Sequence, residues 1–204
     1  MSSDSEEGGP RLPKRARGKE RVAKLLQAAT AVFAEKGYEA ATMTEIAARA
    51  GAPIGSLYQF FPVKAALADT LVQSYVALIA ADLEALEARA NRVDTQTLVE
   101  SLLGLLRAHP QERAAAQPLA EARMSADARR ATFRPMLRRQ VAAILRARAP
   151  TLGAETAREM AIVMLQLMKA SSTLSDEEGL PGRAAALREL RALTVQYLDQ
   201  RLPK

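Results

Sequence analysis

The chain holds 204 residues, 49% of them hydrophobic and 25% charged, with one His, no Cys and no Trp. That is enough for one large domain or two small ones around a packed core, and it excludes a chain disordered throughout. Without cysteine there is no disulfide, thiolate metal site or cysteine nucleophile. With His109 alone, a zinc site would have to be built almost wholly from carboxylates, and no metal or cofactor is expected. The net charge is +6 and unevenly spread: residues 1–10 hold three acids and no base, residues 11–64 ten bases against four acids. Within that basic third, Arg11 to Lys19 carries five bases and no acid, the mark of a polyanion contact or of a solvated tail. No apolar run approaches the roughly 18 residues that span a bilayer. The polar, acidic start is no signal peptide, so a cytoplasmic protein without a membrane partner is expected.

Residues 1–18, rich in Gly, Pro, Ser and charge, read as a disordered basic arm. From Glu20 the pattern turns helical. Val22, Leu25, Leu26, Ala29, Val32 and Phe33 recur at i, i+3, i+4, i+7, and the helix stops at Gly37, with Tyr38 free to pack back on Val32 or Phe33. Thr42 with Glu45 three residues on is a capping box and opens a short helix that Gly51 ends. Pro53 opens another, Ile54 to Phe60. Two short helices across a tight glycine turn make a helix-turn-helix. Pro62 begins a long helix reaching about Ala90. Further helices follow over about Thr95–Ala108, Glu112–Met124, Ala126–Arg148 (kinked at Pro135), Ala154–Thr173 and Arg183–Arg201. No alternating β-branched run occurs, so the fold is all-α, with about nine helices and no internal repeat.

The segment TMTEIAARAGAPIGSLYQFFPVKAAL, with AVFAEKGYEAAT before it, resembles the DNA-binding half of TetR-family transcriptional regulators. The capping box, Gly51, Gly55, Leu57-Tyr58, Phe61 and Lys64 fall at that family's spacing, over about residues 20–68. The resemblance implies a three-helix DNA-binding domain at 19–65 and an effector-binding and dimerisation domain at 66–204.

The residues support such a reading in their own terms. A recognition helix lies in the major groove and meets base edges with its first residues, here Pro53, Ile54, Gly55 and Ser56, then Gln59. Gly55 lets the backbone approach DNA. Ser56 can bond a phosphate or a base, Gln59 can pair with adenine, and Ile54 can touch only an apolar feature such as a thymine methyl. Tyr58 and Lys64 suit phosphates, and Thr42 and Thr44 stand at a helix start that favours anions. Arg15 and Arg17 of the arm suit the minor groove. Each has a plainer reading too: Thr42 as a cap, Tyr58 as packing, the arm as solvated. Leu57 and Phe61 belong to the core. Pro53 and Ile54 depart from the polar residues usual in the family, so its operators cannot be carried over.

In the second part, Met160 to Met168 is apolar almost all round, and the last helix is broadly apolar, so both can be buried on two sides. With the resemblance, this implies a homodimer through four helices, two from each subunit, with Met160, Leu167, Leu190, Leu193 and Tyr197 at the interface. Tyr75, Leu78, Leu106, Met124, Phe133, Met136, Met164 and Met168 are candidates for the effector pocket, methionine being adaptable to apolar ligands and equally an ordinary core filler. The expected function is a repressor, not an enzyme, that binds a palindromic double-stranded operator and is released by a small-molecule effector. A helical protein–protein adaptor without specific DNA binding is the alternative.

Overall fold

The computed structural model describes residues 16–123 and 126–203, and side chains within them except those of 122–132. Arg15, Met124 and most of the expected arm lie outside the described residues. The elements are α1 (Ala16–Ala40), α2 (Met43–Arg49), α3 (Ile54–Phe60), α4 (Lys64–Glu87) and α5 (Thr95–Gly104). A single 3-10 turn (Leu105–Arg107) follows, then α6 (Pro110–Arg123), α7 (Ala126–Arg148), α8 (Ala154–Asp176) and α9 (Arg183–Arg201). No strand occurs among the described residues, and the fold is all-α as the periodicity requires. Several boundaries move by two to four residues, the largest shifts being at the start of α1 and the end of α5. α1 is already helical at Ala16, the first described residue, because the charged stretch before Val22 carries good helix formers. α5 stops at Gly104, where glycine weakens the helix and the chain tightens into the 3-10 turn. α7 runs through Pro135.

Two compact units form. Among the described residues the first takes 16–75 and 110–123, with 126, and the second 76–109 and 127–203. In the first, α1, α2, α3 and the start of α4 close on Leu25, Phe33, Ile46, Leu57, Phe61 and Leu67, all essentially solvent-free. Each such side chain contributes about 1.5–3 kcal/mol by leaving water. α6, far away in sequence, lies along α1 and adds Ala115 and Leu119 to the same core. The unit therefore extends beyond the 19–65 segment. In the second unit, α5, α8 and α9 pack on one another and bury Leu98, Leu102, Met160, Met164, Met168 and Leu198.

α4 is long and apolar enough to cross a membrane by length and composition alone. The expectation that no stretch comes near this limit overlooked its alanines, which lift the average without forming a continuous apolar run. Here the helix buries Leu67 and Leu71 in the first unit and Ile79, Leu83 and Leu86 in the second.

Candidate nucleic-acid interface

The helix-turn-helix is held by backbone and side-chain devices at each of its corners. Gly37 breaks α1 with φ 75° and ψ 175°, a conformation essentially confined to glycine. The chain then returns so that Tyr38 stacks on Phe33, ring centroids 6.0 Å apart. Thr42 caps α2: its hydroxyl accepts from the Glu45 backbone N–H at 3.2 Å, and the Glu45 carboxylate accepts from the Thr42 N–H at 3.2 Å. Two ion pairs tie α2 to α1. Arg49 donates two bonds to Glu35, 2.5 and 2.6 Å, and Lys36 donates to Glu45. Arg49 holds the Glu35 carboxyl below the usual carboxylate range, and Lys36, then Thr42, does the same for Glu45. Sequence reasoning missed both pairs, because nine- and fourteen-residue separations carry no helical signature. Gly51, at φ 61°, makes the turn between α2 and α3.

α3 divides cleanly into two faces. Leu57 and Phe60 are buried, with Phe61 just beyond, while Ile54, Gly55, Tyr58 and Gln59 are exposed. Pro53 precedes the helix, exposed, and no side chain caps it. Thr42 and Thr44 are exposed on α2, and Arg17 is exposed on α1. Two expected DNA contacts sit differently. The Ser56 hydroxyl is buried without a hydrogen-bond partner, so in this rotamer it reaches neither phosphate nor base. The Lys64 ammonium donates to the carbonyls of Tyr38 at 2.7 Å, Ala41 at 3.0 Å and Glu39 at 3.3 Å, and lies 4.5 Å from the centre of the Tyr38 ring. Its three protons hold the connection into α2 instead of facing solvent.

The regulatory candidates are more scattered. Met164 and Met168 are solvent-free in the second core, while Tyr75, Leu78, Leu106, Phe133 and Met136 are half-buried. None of them lines an open groove of about 610 Å³ between α5 and α9, which is walled by Gln96, Arg188, Arg191, Val195 and Gln196. Nor do they line a smaller groove of about 210 Å³ on α6. Burial pushes the Tyr75 phenol up, with Arg113 opposing. His109 bonds Asp82 at 2.7 Å. No cluster of three or more His, Asp or Glu able to hold a metal occurs among the described residues.

Of the expected interface residues, Leu193 is 60% exposed, and Leu167, Leu190 and Tyr197 are half-buried. Met160 needs correcting: it is solvent-free inside its own unit and offers no surface to a partner. The reason is helical phase. Ala157, Met160, Ala161, Met164 and Met168 are the inward stripe of α8, which leaves Ile162 and Val163 on the outside. Those two were legible as the apolar residues left over once the inward stripe is drawn.

Comparison with known proteins bears on both units. The profile of bacterial regulatory proteins of the tetR family matches residues 25–71, which take in most of α1, all of α2 and α3, and the start of α4. The HTH-type transcriptional activator FasR of Mycolicibacterium smegmatis is 45% identical over 69 residues. That match takes in 34% of this chain, and it spans about a third of the relative's length, 32%. A solved structure titled for the molecular basis of control of antibiotic production by bacterial hormones is 25% identical. It covers 90% of this chain and 97% of its own, with a TM-score of 0.59. A member of the TetR family from Streptomyces coelicolor, 20% identical, covers 91% and 99% with a TM-score of 0.60 and shares the fold.

Proposed function

We propose that this chain is a regulator of the tetR type, the family whose profile matches residues 25–71, and that it is a homodimeric repressor, released from a palindromic operator when a small molecule binds. The observation that carries this is the exposed face of α3. It presents Ile54, Tyr58 and Gln59 with an open glycine among them, on a helix locked in place by a buried opposite face. A Cβ at Gly55 would meet nothing within 4 Å and its φ is not positive. The fold gives no reason for glycine in this helix, where it is a poorer helix former than alanine. A close approach by another molecule's backbone gives one. The stretch from Ile46 to Ala68 contains no acid, which suits a phosphate-lined groove.

Within this reading, Gln59 pairs with a base edge and the Tyr58 hydroxyl meets a phosphate. Thr42, Thr44 and Arg17 add backbone contacts, and Lys64 positions α2 and α3. The dimer forms through the outer faces of α8 and α9 around Ile162, Val163 and Leu193. That sets two recognition helices about 34–36 Å apart, or a modest multiple, over a two-fold site. The effector acts by binding the DNA-free conformation more tightly than the DNA-bound one, since only differential affinity shifts such an equilibrium. The protein works in the cytoplasm, where its operator is, and has no enzymatic role.

The test is a mobility shift of the full chain on DNA from upstream of its own and neighbouring genes, with nonspecific competitor. Wild type gives a discrete complex, and Tyr58→Ala and Gln59→Ala each weaken it, the latter by about 1–3 kcal/mol. If neither that DNA nor a random-sequence selection yields a specific complex, the repressor reading falls and a protein–protein adaptor takes its place.

A further inference from the structure

Major-groove readers usually specify sequence with side-chain hydrogen bonds to base edges. The exposed surface of α3 is poorly equipped for that. Pro53 offers neither an N–H nor a polar side chain, Gly55 offers nothing, and the Ser56 hydroxyl is buried. Tyr58 and Gln59 remain. Between these sparse polar groups stands Ile54, 39% exposed, one turn before Tyr58 at 49%, with Val63 at 48% just beyond the helix. An exposed isoleucine next to an open glycine on an otherwise well-packed unit is an apolar probe beside a gap. The one apolar feature that a base pair shows in the major groove is the C5-methyl of thymine.

We infer that this protein reads its operator in part through thymine methyl groups, with Ile54 as the specificity-determining contact and Gln59 as the main hydrogen-bonding reader. The inference rests on the DNA-binding reading and adds to it a particular chemistry of discrimination. The methyl seats against the Ile54 side chain, and the missing Cβ at residue 55 lets α3 come close enough for that contact. The acid-free stretch from Ile46 to Ala68 leaves no like charge to oppose the approach. Cytosine, which has no methyl and presents an amino group there, leaves the isoleucine against a polar edge and is disfavoured.

The experiment uses the full chain and an operator obtained by random-sequence selection. Each thymine of one half-site, then of both, is replaced by deoxyuridine, which removes the methyl and leaves the hydrogen-bonding edge unchanged. One position per half-site should show a loss of about fourfold, the value of one buried methyl, and about sixteenfold when both are changed. Ile54→Ala should bind the thymine operator more weakly by a similar factor and should no longer distinguish thymine from uracil at that position. Ile54 is surface-exposed, so this variant should melt like wild type, and Ile54→Val should keep most of the discrimination. Specific binding that ignores every uracil substitution overturns the inference, as does a uracil penalty that survives in Ile54→Ala. A selection that enriches no sequence overturns the DNA-binding reading, and this inference with it.

Discussion

Exposed large apolar side chains gather in two places among the described residues: Ile54, Tyr58 and Val63 around α3, and Ile162, Val163 and Leu193 on α8 and α9. Their surroundings differ. The first patch lies in a stretch without a single acid. The second is set among charges of both signs, with Arg158, Glu159 and Lys169 exposed on α8 and Arg188, Glu189 and Arg191 on α9. An apolar patch among positive and neutral groups suits a polyanion with apolar spots. One bordered by both signs suits a self-complementary protein surface, where each charge can meet its opposite across a two-fold axis. Apolar exposure alone would not separate the two proposed partners; the neighbouring charges are what support assigning one patch to each.

The comparison breaks most sharply where exposed and buried residues of the same short segment are exchanged. Phe61 is solvent-free, and Phe61→Ala should destabilise the first unit by about 3–5 kcal/mol, read as a lowered melting temperature. Ile54→Ala, seven residues earlier, should leave stability within about 0.5 kcal/mol of wild type while weakening operator binding. Equal stability losses from both would mean that Ile54 packs against the protein instead of facing a partner.

On the second patch, Leu193→Asp places a charge where a partner's apolar surface is expected. Sedimentation should show the proposed dimer weakened by about 2 kcal/mol or more, roughly thirtyfold. The same change should barely alter the far-ultraviolet spectrum, because Leu193 supports no core. An unchanged association state would move the interface away from α9.

Much of this was legible in the sequence, and the reasons are local. Thr42 and Glu45, Gly51, and the inward residues of α3 all lie within a few positions of one another, so short-range rules place them. Relations that span the chain were not legible. Ala115 and Leu119 complete a core begun ninety residues earlier, and Lys64 reaches back to carbonyls at residues 38–41. Lys64 shows the limit well. A lysine at the start of a helix behind a recognition helix looks like a phosphate ligand, and only the three-dimensional path of the 38–41 segment places carbonyls around its ammonium. The pocket candidates stayed unfocused for a similar cause: methionines spaced to line a cavity are spaced equally well to fill a core, and Met164 and Met168 are fully buried.

Lys64→Met tests that limit directly. It removes three charge-assisted bonds from the segment that leads into α2 and should cost about 1.5–3 kcal/mol of stability. DNA binding should weaken, because α2 and α3 lose their anchor. The slope of log affinity against log salt should stay as in wild type, because no phosphate contact has been lost. A slope shallower by about one unit would restore Lys64 to the phosphate-binding set.

The smallest effect comes from the cap of α2. Thr42→Ala should cost about 1 kcal/mol near neutral pH, measured by denaturant melts. Its pH dependence carries more information than its size. The Glu45 carboxyl lies below its ordinary value because Lys36 and Thr42 stabilise the charged form. Such a group lends stability that is complete above its ordinary titration range and is lost as the pH falls through its lowered value. Wild type should therefore lose stability progressively once the pH drops below the ordinary carboxylate range. Thr42→Ala should show a shallower acid decline, because one of the groups that lowers Glu45 is gone. Glu45→Gln should flatten that part of the curve further and leave the contribution of Glu35, which depends on Arg49, in place. If all three curves fall in parallel, the capping box is not coupled to the ion pair, and α2 is held mainly by Ile46 and Ala47 in the core beneath it.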